Sequence, residues 1–381
     1  MSRTTREIML RENRIIIALL GILTAIALGI VLYQAREIML PFALAVFLAF
    51  VLDPLIRFFE RRRIPSPVAI VMAVLLTFLI FNLFGVLVYT SIKSFTAEFP
   101  KYESRIDAWV RHLSQLFNVP PELFFRSTEA GDRFSILADL KGFSVAKIIS
   151  STMGSLLNFL SNTVLVLLFL LFILLGRGHL MQKVHWAFAP PMAKKISAML
   201  SNIHQQVQRY LIAKTFVSLA TGLLATLVLV LFDVQFALIW GILTFLLNFI
   251  PSIGSVIATA LPLAVAFIQF QSLIYVLWIA LCLSAIQFVI GNLIDPRVIG
   301  RSVNLSPLVV LFSLIFWGWL WGVIGMFLAV PIAVIIKIIL ENSESLRFLG
   351  ILMSSSRAEI KPLPGNVSKP PAVEVTPELR K

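Results

Sequence analysis

The amino-acid sequence predicts an all-α, polytopic membrane protein of about eight membrane segments, two of them broken or re-entrant hairpins in inverted orientation. Three observations carry this. Of the 381 residues, 59% are hydrophobic and only 13% charged, against roughly 45–50% and 25% in a soluble domain. Apolar runs of about 20 residues, the length a helix needs to cross hydrocarbon, recur along the chain. Two of these runs, 236–270 and 306–340, reach 35 residues each and carry helix breakers near their middles.

The apolar segments are 15–32, 38–55, 68–91, 156–175, 211–232, 236–270, 273–293 and 306–340. The first follows Arg3, Arg6, Arg11 and Arg14. It is longer than a signal-peptide core and another apolar run follows at once, so it reads as an uncleaved first helix. Orientation comes from the basic loops. Arg57, Arg61, Arg62 and Arg63 follow the second segment. Arg177, Lys183, Lys194, Lys195, Arg209 and Lys214 lie in a stretch without Asp or Glu. Both loops should be cytoplasmic, because Lys and Arg collect on that side. Alternation then places 93–147 outside, where basic and acidic residues nearly balance.

That outer region holds an apolar stripe at helical spacing: Phe95, Phe99, Tyr102, Ile106, Trp109, Leu113 and Leu116. Pro120 and Pro121 should end it. The stripe suits either a partner subunit or a second helix of the same region near 144–162. The cytoplasmic loop should be helical after Pro190 and Pro191. The tail 357–381 is rich in Pro and charge without periodicity, which predicts disorder. The chain therefore divides into N-terminal membrane segments (1–92), an extracytoplasmic helical region (93–155), a fourth membrane segment (156–176), a cytoplasmic helical loop (177–209), a C-terminal transport core (210–340) and a cytoplasmic tail (341–381).

Several function classes drop out. The net charge of +13 accompanies no nucleic-acid-binding motif. Cys282 is the single cysteine, so no intrachain disulfide or thiol metal site is expected. His112, His179, His185 and His204 lie outside the apolar cores and form no HExxH pair, and no P-loop is present. Neither an enzyme, nor a cofactor, nor a metal is expected.

The two long runs are the informative ones. A straight helix of that length measures about 50 Å, while the hydrocarbon core is about 30 Å. Each run is therefore a pair of short crossings or a hairpin that enters and returns. The breakers are Asn248, Pro251, Ser252 and Gly254 in one, and Gly318, Gly322 and Gly325 in the other; Pro262 and Pro331 follow. Helix breaks at membrane depth leave backbone groups that hydrocarbon cannot satisfy, and a transported polar solute can. These seven residues are the predicted substrate-binding set. One crossing between the runs, 273–293, would make two hairpins enter from opposite faces. Gln287, Asn292, Asp295 and Arg297 are gating or ion candidates. The alternative is a cytoplasmic turn in which Asp295 pairs with Arg297 or Arg301. Asn82, Asn158, Thr221, Thr244 and Gln269 suit interhelical hydrogen bonds. Asp53, Asp233 and Lys337 sit near segment ends, where capping or snorkelling explains them.

In order along the chain stand Arg209-Tyr210-Leu211, Asn248-Phe249-Ile250-Pro251-Ser252-Ile253-Gly254, Gly291-Asn292-Leu293-Ile294-Asp295-Pro296-Arg297-Val298-Ile299-Gly300, Val303-Asn304-Leu305-Ser306-Pro307, and Gly322-Val323-Ile324-Gly325-Met326-Phe327-Leu328-Ala329-Val330-Pro331. With these motifs the chain resembles the autoinducer-2 exporter family of bacterial permeases, also called PerM-like. Ser306 stands where the family often has His, and Ser252 where it often has Tyr or another residue. The resemblance implies a multi-pass secondary transporter of the bacterial inner membrane with both termini cytoplasmic. Its partners would be the lipid bilayer, a small-molecule or ion substrate, and further copies of itself in a homo-oligomer, with no nucleic acid. It implies export of an autoinducer-2-like polar solute coupled to an ion gradient. Sodium/proton antiport, or a non-transporting scaffold for envelope assembly, are the alternatives.

Overall fold

The computed structural model describes residues 19–21, 23–24, 26–116, 145–270, 272–299, 304–343 and 346–355. The N-terminal arginines, Pro120 and Pro121, Arg301 and the C-terminal tail lie outside these residues, and so do the side chains of the stripe between Phe95 and Leu116. In chain order the helices are α1 (Leu19–Gln34), α2 (Arg36–Arg61), α3 (Ser66–Leu116), α4 (Val145–Gly176), α5 (Leu180–Ala187), α6 (Pro190–Leu231), α7 (Ala237–Leu247), α8 (Ile253–Gln269) and α9 (Leu273–Val289). A π turn (Ile290–Ile294) follows, then α10 (Asp295–Ile299), α11 (Pro307–Asn342) and α12 (Arg347–Leu352).

Among the described residues, five helices are long and apolar enough to cross a membrane, or six if the pair Leu160–Gly176 and Leu180–Ala187, bent by 61°, counts as one span. The shorter apolar helices are α1, α7 and α8. The expected eight segments are therefore not eight long helices. Large apolar side chains face outward: Leu79 is 63% exposed, Ile274 71% and Trp319 72%. Such a surface suits lipid, not water.

Two helices run further than the apolar runs predict. α3 continues as one helix of 51 residues from its apolar start into the charged outer region. α6 joins the predicted cytoplasmic helix and the fifth apolar run into 42 unbroken residues, about 63 Å. Pro190 and Pro191 open α6, where a missing N–H costs nothing. α2, α3 and α4 form one bundle whose contacts include the fully buried Ala45, Ala69 and Ala73. Small side chains there let the backbones approach closely.

The first long run folds back on itself. α7 and α8 hold 11 and 17 residues, about 17 and 26 Å, and neither alone spans a bilayer core. At the base, the Gln269 amide donates to Asp233 O at 2.7 Å and its oxygen accepts from Gln235 N at 2.9 Å. Entry and exit are thus side by side. The turn lies between Asn248 and Ser252, with Ser252 at φ 61°. Gly254 meets the facing arm so closely that a Cβ would stand 1.7 Å from Leu247 O.

The second long run uses the same device. α11 is counted as one helix of 36 residues, but Gly322 adopts φ 66°, ψ −147° and reverses it. Ser313 Oγ donates to Ala329 O at 2.8 Å; in a straight helix those residues would be about 24 Å apart. A Cβ on Gly325 would stand 1.9 Å from Trp317 O. At the base, Lys337 Nζ donates to Asn304 O at 2.9 Å and lies 3.5 Å from Glu341. Lys337 is buried, so it closes the hairpin and does not snorkel.

α6 is the spine for both. α7 packs along its C-terminal half, where Gly222 and Gly241 allow backbone contact. The returning arm of α11 packs along its N-terminal half, with Val334 and Ile338 in one cluster with Ile203, Val207 and Leu211. The hairpin bases lie at opposite ends of α9, and the tips meet near the middle of α6.

Candidate functional site

Where the tips meet, aromatic side chains fill the space. Phe249 of the first tip and Phe327 of the second have ring centroids 4.5 Å apart. Phe47 of α2 closes the group at 4.8 Å from Phe327 and 6.0 Å from Phe249. Trp317 and Trp321 pack beside it with Leu247 and Ile250. Trp321 Nε1 donates to Leu32 O of α1 at 3.2 Å. The junction is lined by aromatic and apolar side chains.

The predicted substrate residues take different places around this block. Asn248 is buried and donates to Ser218 Oγ at 3.1 Å and Thr221 Oγ1 at 3.4 Å on α6. Its amide fixes the tip to the spine. Pro251 is half-buried and Ser252 exposed; the Ser252 carbonyl accepts from Ser255 Oγ at 2.9 Å. Gly254, Gly318 and Gly325 are contact glycines: a Cβ on Gly318 would stand 2.8 Å from Met326 Cγ. Gly322 is exposed, with nothing near its would-be Cβ, and serves the turn through its positive φ. The seven residues thus shape two tips that face each other.

The gating candidates separate. Gln287 is half-buried on α9, and the exposed Asn292 donates to Phe288 O at 3.2 Å within its own turn. Among the described residues Asp295 does not pair with Arg297, and Arg301 lies outside them. The Asp295 Oδ2 accepts from Lys214 Nζ of α6 at 2.7 Å, and its Oδ1 is buried without a hydrogen-bond partner among the described residues. Lys214 is buried at 4% exposure. Arg297 is exposed. The π turn produces this pairing: its extra residue rotates the following chain by about 100° and brings Asp295 to α6. Sequence reasoning assigned Lys214 to the cytoplasmic loop because it closes a basic stretch. Its place four residues after Tyr210, on the same helix face, was the available signal.

A second polar group centres on Asp53, which the sequence places near a segment end. Asp53 on α2 is buried, and accepts from Arg57 Nε at 2.7 Å, Arg177 Nη1 at 2.9 Å and Gln208 Nε2 at 2.8 Å. His204 Nε2 lies 3.3 Å away. Arg177 also bonds Glu60. Asp53, Arg57, Glu60, Arg177 and His204 line a cleft of about 740 Å³ together with Val46, Phe50 and Phe172. Asp53 therefore ties α2 to α6 and to the end of α4. An acid inside an apolar run is a functional candidate by default.

Long apolar helices with lipid-facing exteriors, enclosing paired hairpins, define a polytopic membrane protein of the transporter kind. The chain belongs to the AI-2E transporter family: the family model described as AI-2E family transporter matches residues 20–345. The "AI-2 transport protein TqsA" of Escherichia coli is 34% identical over 353 residues, covering 90% of this chain and 96% of that one. A "Putative transport protein" of Haemophilus influenzae is 33% identical over 335 residues, covering 86% and 93%. The "Putative transport protein YhhT" of Escherichia coli is 31% identical over 367 residues, covering 95% and 98%. The role is membrane transport.

Proposed function

We propose that the protein exports a small polar solute of the autoinducer-2 type, driven by an ion gradient, and that the path opens when the two hairpin tips part. The observation that supports this reading is the contact of the two folded-back apolar runs beside α6 across an aromatic block; in this reading they enter from opposite faces. Parting opens a path past Ser252, the carbonyls around Gly322 and the turn at Pro251, which are the polar groups available to a solute. Asn248 keeps the first tip anchored to Ser218 and Thr221. The substrate class follows that of the Escherichia coli relative, an AI-2 transport protein. In this reading the protein sits in the bacterial inner membrane as a homo-oligomer, both termini inside and 93–155 outside.

Purified protein in sealed vesicles tests it. Loaded autoinducer-2 should leave faster than from protein-free vesicles loaded alike, and an imposed ion gradient should change the rate. Sodium/proton antiport is the second reading, favoured by the buried Lys214–Asp295 pair. It predicts sodium-dependent proton flux with no solute present. A scaffold would support neither flux.

A further inference from the structure

We propose that the cleft between α2, the end of α4, α5 and α6 binds an anionic phospholipid, its headgroup phosphate on Arg57 and one acyl chain along Val46, Phe50 and Phe172. The proposal is independent of which solute or ion the protein moves.

The cleft changes character along its length. Its α2 wall is one helix face, Val46, Phe50, Asp53, Arg57 and Glu60, at steps of four and three. Val46 stands near the middle of α2 and Glu60 beside its end, so this wall runs about 21 Å. The inner part is apolar, with Ile173 and Leu174 of α4 and Ile203 of α6 facing Val46 and Phe50. The outer part is charged, and just beyond it Arg61, Arg62 and Arg63 are exposed. A phospholipid has the same order, hydrocarbon toward the membrane centre and phosphate at the interface. The rim is apolar as well: Phe172 is 64% exposed, and Leu180 and Met181 of α5 are exposed beside it. The cleft therefore opens sideways onto the lipid-facing surface. A water-borne anion would leave its apolar length without a partner. About 740 Å³ takes a headgroup and the upper part of one chain, and the rest of the lipid lies in the surrounding bilayer.

Charge sets the headgroup. The two acids of the lining are already engaged: Asp53 accepts from Arg57, Arg177 and Gln208, and Glu60 from Arg177. Arg57 gives Asp53 only its Nε. Its two terminal nitrogens make no hydrogen bond among the described residues, and its side chain is exposed. Asp53 thus steadies a guanidinium that keeps donors to spare, and a planar guanidinium suits phosphate. Ser201, exposed on the α6 wall, offers a hydroxyl to the same group. With Arg61, Arg62 and Arg63 alongside, the local field favours a headgroup of net negative charge over a zwitterionic one. Basic pockets between spanning helices are used in this way.

Position gives the lipid an effect on the fold. The cleft lies along the seam between the α2–α4 bundle and the N-terminal half of α6, where the second hairpin returns. Asp53 is a polar tie across this seam. An acyl chain in the apolar part adds contacts between the same helices, so bound lipid stabilises the folded protein.

Full-length protein in a mild detergent, stripped of lipid by exchange, is titrated separately with phosphatidylglycerol, phosphatidylcholine and sodium phosphate. Native mass spectrometry follows bound lipid, and thermal unfolding follows stabilisation. Wild type should retain a phosphatidylglycerol on each protomer and melt at a higher temperature with it. It should bind phosphatidylcholine about tenfold more weakly, as the loss of one charge-assisted contact implies, and gain nothing from inorganic phosphate. Arg57→Gln should weaken phosphatidylglycerol binding about tenfold for the same reason. Phe172→Ala should weaken it with the headgroup contact kept. Lys194→Gln removes the same charge at an exposed site outside the cleft and should bind as wild type. A phosphatidylglycerol with a photoactivatable diazirine in its chain should label peptides that hold Val46 to Phe50 or Phe172. Equal binding of the two lipids, stabilisation by phosphate alone, unchanged binding in Arg57→Gln or Phe172→Ala, an equal loss in Lys194→Gln, or labelling confined to other peptides would each overturn the proposal.

Discussion

Gly254→Ala probes the hairpin geometry most sharply. A methyl carbon there would lie 1.7 Å from the Leu247 carbonyl oxygen. Carbon–oxygen contacts settle near 3.3 Å, so the arms must part by about 1.6 Å. The obstacle is backbone, which cannot swing aside as a side chain does. Overpacking of this kind costs about 1–3 kcal/mol, and the depth of the clash argues for about 3 kcal/mol. Gly325→Ala should behave alike, since its Cβ would lie 1.9 Å from Trp317 O. Gly29→Ala on α1 meets nothing within 4 Å and should be neutral or slightly stabilising, because alanine favours helix. For a chain of 381 residues, about 3 kcal/mol lowers a melting temperature by roughly 4 °C. Thermal unfolding of the three variants in one detergent, at one scan rate, makes the comparison. If Gly254→Ala melts with wild type and Gly29→Ala, the two arms do not pack as described.

Three further outcomes are expected. With Cys282 replaced by Ala, Ser313→Cys/Ala329→Cys should cross-link within one chain under a short thiol reagent, as the 2.8 Å bond between these residues implies; no cross-link would mean that α11 is straight. Asp53→Asn should destabilise by about 3 kcal/mol, because removing one member of a buried ion network strands the others, whereas Arg57→Gln, whose side chain is 57% exposed, should cost less than about 1 kcal/mol; equal melting shifts would contradict this ranking. Ser127→Cys should react with an impermeant maleimide on intact cells, and labelling only after permeabilisation would reverse the orientation drawn from the basic loops.

Much of this fold is legible in the residues because lipid imposes simple demands. Run length and charge placement locate the spanning helices. The excess length of the two long runs, with Gly254 and Gly322 among their breakers, predicts that neither is one straight crossing, and leaves hairpins and paired short crossings open. What stays hidden is partnership across sequence distance. Nothing local to Asp295 names Lys214, 81 positions away, and Arg297 is the nearer cation. Asp53 beside Pro54 looks like a segment end, while Arg177 and His204 reach it from α4 and α6. Asn248 reads as a solute ligand, and its bond to α6 appears only from the positions of Ser218 and Thr221. The aromatic block is hidden too, since Phe47, Phe249 and Phe327 are three among 31 phenylalanines.

The parting of the tips is the central claim, and locking them tests it most directly. Phe249→Cys/Phe327→Cys, in a Cys282→Ala background, puts a thiol on each tip where the rings now lie 4.5 Å apart. Efflux of autoinducer-2 from proteoliposomes is measured before treatment with a short bifunctional thiol reagent that can be cleaved by reduction, after it, and again after reduction. The account predicts efflux from the untreated double variant, loss of efflux on complete cross-linking, and recovery on reduction; undiminished efflux from fully cross-linked protein would contradict it.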